Sequence, residues 1–199
     1  MKAKVNSLPF ETPRLLLRRF KDDDYAPFLA YRNDPEVARY QSWESCSEPE
    51  AVRFIEQQKS LPLGVIGQWF QFAVELKETA ELIGDCAFRV SELDAQQAEI
   101  GFTIARPFQK RGYAAEAVAR VFDYAFIESS MHRIFAITDC ENHAAVALLE
   151  RLGMRREAHF IQNIWFKGKW GDEYLYAMLQ DEWTMRRSLF NGERKSPGV

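Results

Sequence analysis

The sequence predicts an α+β domain in which helices pack on a mixed, mostly antiparallel sheet. Three observations predict it. Residues 70–76 alternate strictly, with Phe70, Phe72, Val74 and Leu76 on one face and Gln71, Ala73 and Glu75 on the other, the period of a half-buried strand. Two later segments keep helical spacing instead: Ala115, Val118, Ala119, Phe122 and Phe126, then Ala145, Leu148, Leu149 and Leu152 at i, i+3, i+4 and i+7. The links between the strands of residues 70–105 are too short for parallel crossovers and suit an antiparallel meander.

The elements follow in order. A first strand over residues 14–20 opens after Thr12-Pro13. Acidic residues from Asp22 start a helix over 22–32, and Asn33-Asp34-Pro35 stops it. Ser47-Glu48-Pro49-Glu50 has capping-box spacing, with proline tolerated in the first turn, and starts a second helix ending near Ser60. Strands follow over 70–76, 81–91 and 97–105, and Arg106-Pro107 breaks the pattern. A helix over 112–129 precedes a strand over 132–138. Asn142 caps the next helix and Gly153 ends it. Two last strands, 154–165 and 173–179, flank a glycine-containing loop at 167–171, and Asp181 starts a final helix.

At 199 residues, one domain is expected, large enough to fold without disulfides or metal. The expected layout is an N-terminal extension over 1–11, one domain over 12–185 and a C-terminal tail over 186–199. A net charge of −3 argues against a broad basic face for nucleic acid. No apolar run approaches the length of a membrane span, and Met1 begins no signal-like stretch. Three cysteines without a CxxC point to a reducing, cytoplasmic compartment. His132, His143 and His159 match no metal-ligand spacing, so no metal is expected. The aromatic fraction of 14% suits either a deep core or an aromatic-lined cleft.

The run Gln109-Lys110-Arg111-Gly112-Tyr113-Ala114 carries the most chemistry. It lies between a strand and an amphipathic helix, where free N–H groups and the helix dipole suit a phosphate. Gly112 and Ala114 permit close backbone approach, and Lys110 and Arg111 add positive charge. The spacing is neither that of a P-loop nor that of a dinucleotide fingerprint. A glycine near a helix start also has a purely structural reading.

In these residues the chain resembles the GNAT superfamily of acyl-CoA-dependent N-acetyltransferases, and within it the RimJ/RimL-type branch. Gln109, Gly112 and Ala114 match the pyrophosphate-loop pattern Gln/Arg-x-x-Gly-x-Gly/Ala. Thr12-Pro13-Arg14-Leu15, Leu82-Ile83-Gly84, Ala98-Glu99-Ile100-Gly101-Phe102, Glu141-Asn142 and Leu149-Glu150-Arg151-Leu152-Gly153-Met154 follow in the family's order. Asp172-Glu173-Tyr174-Leu175-Tyr176 and Glu182-Trp183 complete it, over roughly residues 12–183. The resemblance implies a sheet of six or seven strands with helices on both faces and a splayed pair, the strands carrying Glu99 and residues 132–138. It implies acetyl-CoA as cosubstrate, with pantetheine in that gap against the backbone of Phe102, Thr103 and Ile104. The pyrophosphate would lie on Gln109, Lys110, Arg111, Gly112, Tyr113 and Ala114. Asn142 would reach the pantetheine arm, a role compatible with capping its helix.

Acetyl transfer needs a neutral amine, a base, an oxyanion donor and an acid for the leaving thiolate. Glu99 is the candidate base, against the alternative of a solvated strand residue. The family often places the acid as a tyrosine seven residues, or a serine three residues, after the asparagine. Here those positions hold Leu149 and Ala145, which donate no proton, so the acid is unassigned. Tyr31, Trp43, Phe70 and Trp165 are the candidate acceptor-binding residues, from a wider aromatic set that includes Tyr40, Trp69 and Phe160. Trp69 alternates opposite Phe70, so at most one of the two faces a cleft, and Trp43 also suits a docked loop anchor. The expected reaction is acetylation of a primary amine, first the N-terminal α-amine of a protein or peptide. The alternatives are a small-molecule amine, a non-catalytic acyl-CoA-binding or interaction module, and a phosphate-loop nucleotide binder. The chain is expected to act as a monomer or homodimer, without nucleic acid or membrane.

Overall fold

The computed structural model describes residues 8–192. An eight-stranded sheet runs in the order β1-β2-β3-β4-β5-β6-β8-β7. Its strands are β1 (Phe10–Glu11), β2 (Leu15–Arg18), β3 (Phe70–Leu76), β4 (Glu81–Val90), β5 (Gln97–Ile104), β6 (Arg133–Asp139), β7 (Arg155–Phe166) and β8 (Lys169–Leu179). Every pairing is antiparallel except β5 with β6. The expected six or seven strands become eight because Phe10 and Glu11, assigned to an N-terminal extension, add a two-residue strand on β2.

Helices cover both faces of the sheet. On one side lie α1 (Tyr25–Arg32), α2 (Pro35–Ala38) and α3 (Glu48–Ser60), whose Phe28, Tyr31, Val37, Ala51 and Ile55 share a core with Ala73. On the other lie α4 (Tyr113–Phe122), α5 (His143–Leu152) and α6 (Gln180–Gly192), whose Val118, Phe122, Leu149, Leu152 and Trp183 pack with Phe70, Phe72 and Val74. The alternation in β3 is therefore real, but the strand is not half-buried. Small Ala73 lets the α1–α3 layer close on its second face, so both faces are covered.

Local chemistry explains the element ends. Asp34 Oδ1 accepts the Glu36 N–H at 2.9 Å, so Asn33-Asp34-Pro35 stops α1 and at once starts the single-turn α2. Glu50 accepts from the Ser47 N–H at 2.8 Å and from its hydroxyl at 2.6 Å, fixing the start of α3. Past Phe122 the α4 helix widens over Asp123–Glu128, and the Ser129 N–H reaches the Tyr124 carbonyl at 2.9 Å in an i→i+5 bond. The loop expected at 167–171 contracts to a turn at Lys167 and Gly168, with φ of +48° and +83°. Helix α6 enters the stretch expected as tail, while residues 193–199 and 1–7 lie outside the described residues.

Candidate active site

Strands β5 and β6 pair only through Gln97↔Arg133, Ala98↔Ile134 and Glu99↔Phe135. Beyond that fork β5 stays paired to β4 as far as Ile104, and β6 to β8 as far as Asp139. The edges that face each other across the fork are thus left unpaired. A cleft of about 320 Å³ opens there. Ile100, Gly101 and Phe102 form one wall, 136–139 of β6 the other, and Asn142, Ala145 and Leu149 of α5 line it from one side. Residues 40–42 and Ile164, Phe166 and Glu173 of the last hairpin complete it.

The anion-binding candidate lies just past β5. Gly112 caps α4 in the left-handed region at φ +81°, and no side chain caps the first turn of the helix. The N–H groups of Tyr113, Ala114 and Ala115 are therefore offered at the positive end of the dipole. Lys110, at φ +61°, and Arg111 are exposed beside them. Gln109 Nε2 donates to the Ile104 carbonyl at 2.8 Å, tying the loop to the end of β5. A Cβ on Gly112 would meet Arg14 Nη2 at 3.4 Å, and its φ disfavours any side chain.

A second sequence feature finds its reason here. Buried Glu116, one turn into α4, accepts the Thr12 hydroxyl at 2.6 Å, the Arg14 N–H at 2.9 Å and Arg14 Nε at 2.7 Å. Arg14 Nη1 also donates to the Arg111 carbonyl at 3.0 Å, and its guanidinium lies 4.5 Å from the Tyr113 ring centroid. The Thr12-Pro13-Arg14 motif thus clamps the loop and first turn that would hold phosphate. Burial raises the Glu116 carboxyl, but these donors outweigh it and hold the group below its ordinary range.

Glu99 is the last β5 residue paired with β6, so its backbone stands at the fork, next to cleft-lining Ile100; its own side chain is not part of the lining. Its carboxylate forms an ion pair with Arg89 of β4, whose guanidinium lies 4.6 Å from the Trp69 ring centroid. Neither Arg89 nor the nearness of Trp69 was apparent from sequence. The signal that could have found Arg89 is the antiparallel β4–β5 register, which sets Arg89 opposite Glu99.

The other predicted site residues divide. Phe102 and Asn142 line the cleft. Asn142 Oδ1 accepts the Ala145 N–H at 3.2 Å, which leaves its Nδ2 unpartnered among the described residues. Thr103 and Ile104 are buried, so their backbone is what they offer. Phe70 is core on the α4 side and does not line the cleft, because alternation sends it beneath the helix. Tyr31 is also buried, giving its hydroxyl to Asp85 at 2.5 Å. Burial pushes Tyr31 well above its ordinary value, and the Asp85 charge adds to it. Burial likewise raises Asp85, against the pull of Arg32 and Tyr31.

Trp43 is a loop anchor rather than a cleft wall. Its Nε1 donates to the Arg32 carbonyl at 3.1 Å, and the Arg32 guanidinium lies 3.6 Å from its ring. Trp165 alternates away from the cleft-lining Ile164 and Phe166, and its ring meets Trp170 edge-on at 5.5 Å.

Residues 14–155 match the family described as Acetyltransferase (GNAT) domain. The chain belongs to the GNAT acetyltransferase family. The uncharacterized N-acetyltransferase YnaD of Bacillus subtilis is 33% identical over 173 residues, 87% of this chain and 98% of that protein. A GNAT-family acetyltransferase structure from Bacillus anthracis is 30% identical, has a TM-score of 0.78, and is matched over 88% of this chain and 100% of its own. A spermidine N(1)-acetyltransferase of Vibrio cholerae is 30% identical over 91 residues, 46% of this chain and 53% of that protein. This GNAT protein is therefore an acyl-CoA-dependent N-acetyltransferase, and its cosubstrate is acetyl-CoA.

The residues present fit that cosubstrate. The uncapped first turn of α4 with Lys110 and Arg111 suits a pyrophosphate, and the free β5 edge suits an amide-bearing arm that pairs as an added strand does. Apolar Ala145 and Leu149 line the cleft where a proton donor often stands in the family. Tyr176, opposite cleft-lining Ala136 in the β6–β8 register, donates its hydroxyl to Glu150 at 2.9 Å. Burial first, then Glu150, push its phenol up to about 12. The hydroxyl groups of the lining belong instead to Tyr40, Ser42 and Thr138.

Proposed function

We propose that this GNAT enzyme acetylates the N-terminal α-amine of a protein or peptide. The observation that supports this reading is the side of the cleft formed by the last hairpin. Glu173, whose carboxylate accepts Asn163 Nδ2 at 2.6 Å, and the 40% exposed Ile137 line the cleft there, and Phe160, 37% exposed, pairs with Glu173 from β7. The adjoining β7 is an edge strand with mostly exposed side chains, so a chain trailing from the amine has room to lie along it.

Bound acetyl-CoA supplies an activated acyl carbon and a thiolate leaving group. Glu99, at the fork, takes the proton released as the amine nitrogen bonds to that carbon, directly or through water, while the carbon–sulfur bond breaks. Arg89 holds the Glu99 carboxylate in place from the neighbouring strand. The demand on this base is modest for an α-amine, whose pKa near 8 leaves about a tenth of it neutral at pH 7, whereas a lysine-like amine near 10.4 is almost wholly protonated.

A second reading, a small polycationic amine, is favoured by the two carboxylates of the lining, Asp139 and Glu173, and by the resemblance to a spermidine acetyltransferase over part of the chain.

The test is acceptor-dependent thiol release with three acceptors: a peptide with a free N-terminus, an Nα-blocked peptide bearing lysine, and spermidine. Release with the first alone is expected. Release with spermidine alone would transfer the assignment to the second reading, and CoA binding without release by any amine would mark a non-catalytic acyl-CoA-binding module. With the active acceptor, Glu99→Gln should lower turnover most at low pH, where little amine is neutral, and leave CoA affinity unchanged. Wild-type turnover across the pH range would remove Glu99 from the chemistry.

A further inference from the structure

The turn between β7 and β8 does more than reverse the chain. Its left-handed Lys167 and Gly168 bring the Lys167 ammonium to two backbone carbonyls, that of Ala38 at the end of α2 at 2.6 Å and that of Trp43 in the loop beyond it at 3.0 Å. Those carbonyls bracket residues 39–42, and Tyr40, Gln41 and Ser42 of that stretch line the cleft. The same hairpin supplies Ile164 and Phe166 to the lining. One side chain therefore joins two walls of the cleft that are far apart in sequence. Within the loop the ties are lighter: Gln41 N–H to Ala38 O at 2.9 Å, and Trp43 docked on Arg32.

We propose that Lys167 is a positioning residue that fastens residues 39–42 across the acceptor end of the cleft and so sets affinity for the amine. A lysine suits this task. Its ammonium has three donors and no acceptor, so it can serve two carbonyls at once, and each bond is charge-assisted. Among the described residues it forms no ion pair; its ammonium meets these carbonyls and lies 5.0 Å from the ring centroid of the cleft-lining Phe166. Among the described residues, neither Lys167 nor residues 39–42 share a hydrogen bond or ion pair with the acyl-donor loop at residues 109–114. The effect on amine affinity rests on the acceptor reading given above, whereas the fastening itself does not.

The experiment compares the full-length wild type with Lys167→Met, which keeps the stem and removes the donors, and with Lys167→Arg, which restores them. In Lys167→Met, which loses both charge-assisted hydrogen bonds, the acceptor KM should rise by about tenfold or more, tenfold being the scale of one such bond. Turnover at saturation and CoA affinity should stay at wild-type values, and Lys167→Arg should recover most of the loss. Backbone hydrogen exchange at residues 39–43, followed with no amine present, should accelerate in Lys167→Met and return toward wild type in Lys167→Arg. An unchanged acceptor KM would overturn the proposal, as would a loss shared equally by kcat and CoA affinity, which marks a general folding role. If the wild type acetylates no amine tried, the acceptor reading fails by itself. Exchange then decides the latch: faster exchange upholds the fastening, and unchanged exchange overturns it.

Discussion

Glu116 shows how one buried charged side chain can hold together the elements around a candidate binding loop. It is only 3% exposed, yet it keeps a carboxylate because Thr12 and Arg14 supply three donors. Its folded-state carboxyl titrates below the ordinary value of 4.5, so the stabilisation is complete above that pH and is lost as pH falls through the folded value. Glu116→Gln should therefore cost about 2 kcal/mol at pH 7, the scale of hydrogen bonds to a charged group. The gap should narrow in the acid range, as denaturant unfolding at pH 7 and pH 3.5 would reveal; an equal gap at both would mean that the charge contributes nothing. At this scale the sequence was only partly legible. The Gln109 to Ala114 run is local, so its place before a helix could be read directly. Tyr31 and Phe70 could not be sorted the same way, because an aromatic side chain reads alike whether it faces a cleft or a core. What sorted them was Asp85 under one and the α4 layer over the other.

The strands and helices were nearly all legible, because period-2 and period-3.6 patterns and capping residues are local signals. What local signals could not give is how β4 and β5 carry the fork. Gly84 pairs with both Val74 and Ile104, beside a register shift in β3 between Val74 and Glu75. A Cβ there would lie 2.1 Å from the Thr103 carbonyl oxygen and 2.9 Å from the Ile104 Cα. The glycine in Leu82-Ile83-Gly84 thus permits the close approach of the very strand whose other edge is unpaired beyond Glu99. Gly84→Ala should destabilise the fold by about 3 kcal/mol, since the clash is with backbone. In a chain of this size that lowers the melting temperature by roughly 6–12 °C. An unchanged melting temperature would show that β5 can shift without cost. The half-buried reading of β3 failed for a related reason: alternation tells which residues share a face, and nothing local tells whether a second layer covers the other face.

Across the whole molecule, the cleft is assembled from five separate stretches: the loop after α2, β5, β6, α5 and the last hairpin. A ligand that spans the α4 first turn and the β5–β6 gap should stabilise the fold as a unit. CoA at a hundred times its Kd should add about 2.7 kcal/mol. That corresponds to a rise of roughly 5–11 °C in melting temperature. ATP, which lacks the pantetheine arm, should give less, and Lys110→Ala with Arg111→Ala should shrink the shift. Equal stabilisation by ATP and CoA would favour a nucleotide-binding loop over an acyl-CoA cleft. The sequence by itself determined the α+β class, the order of nearly every element and the phosphate-suited run before α4. Each of these is written in neighbouring residues or in a short period. Only the tertiary structure decided that β5 and β6 part after Glu99, that Arg89 holds Glu99, that Trp43 anchors rather than lines, and that Lys167 reaches Ala38 and Trp43. Those contacts join residues far apart in the chain, and their energies depend on distance and burial, which no local pattern encodes.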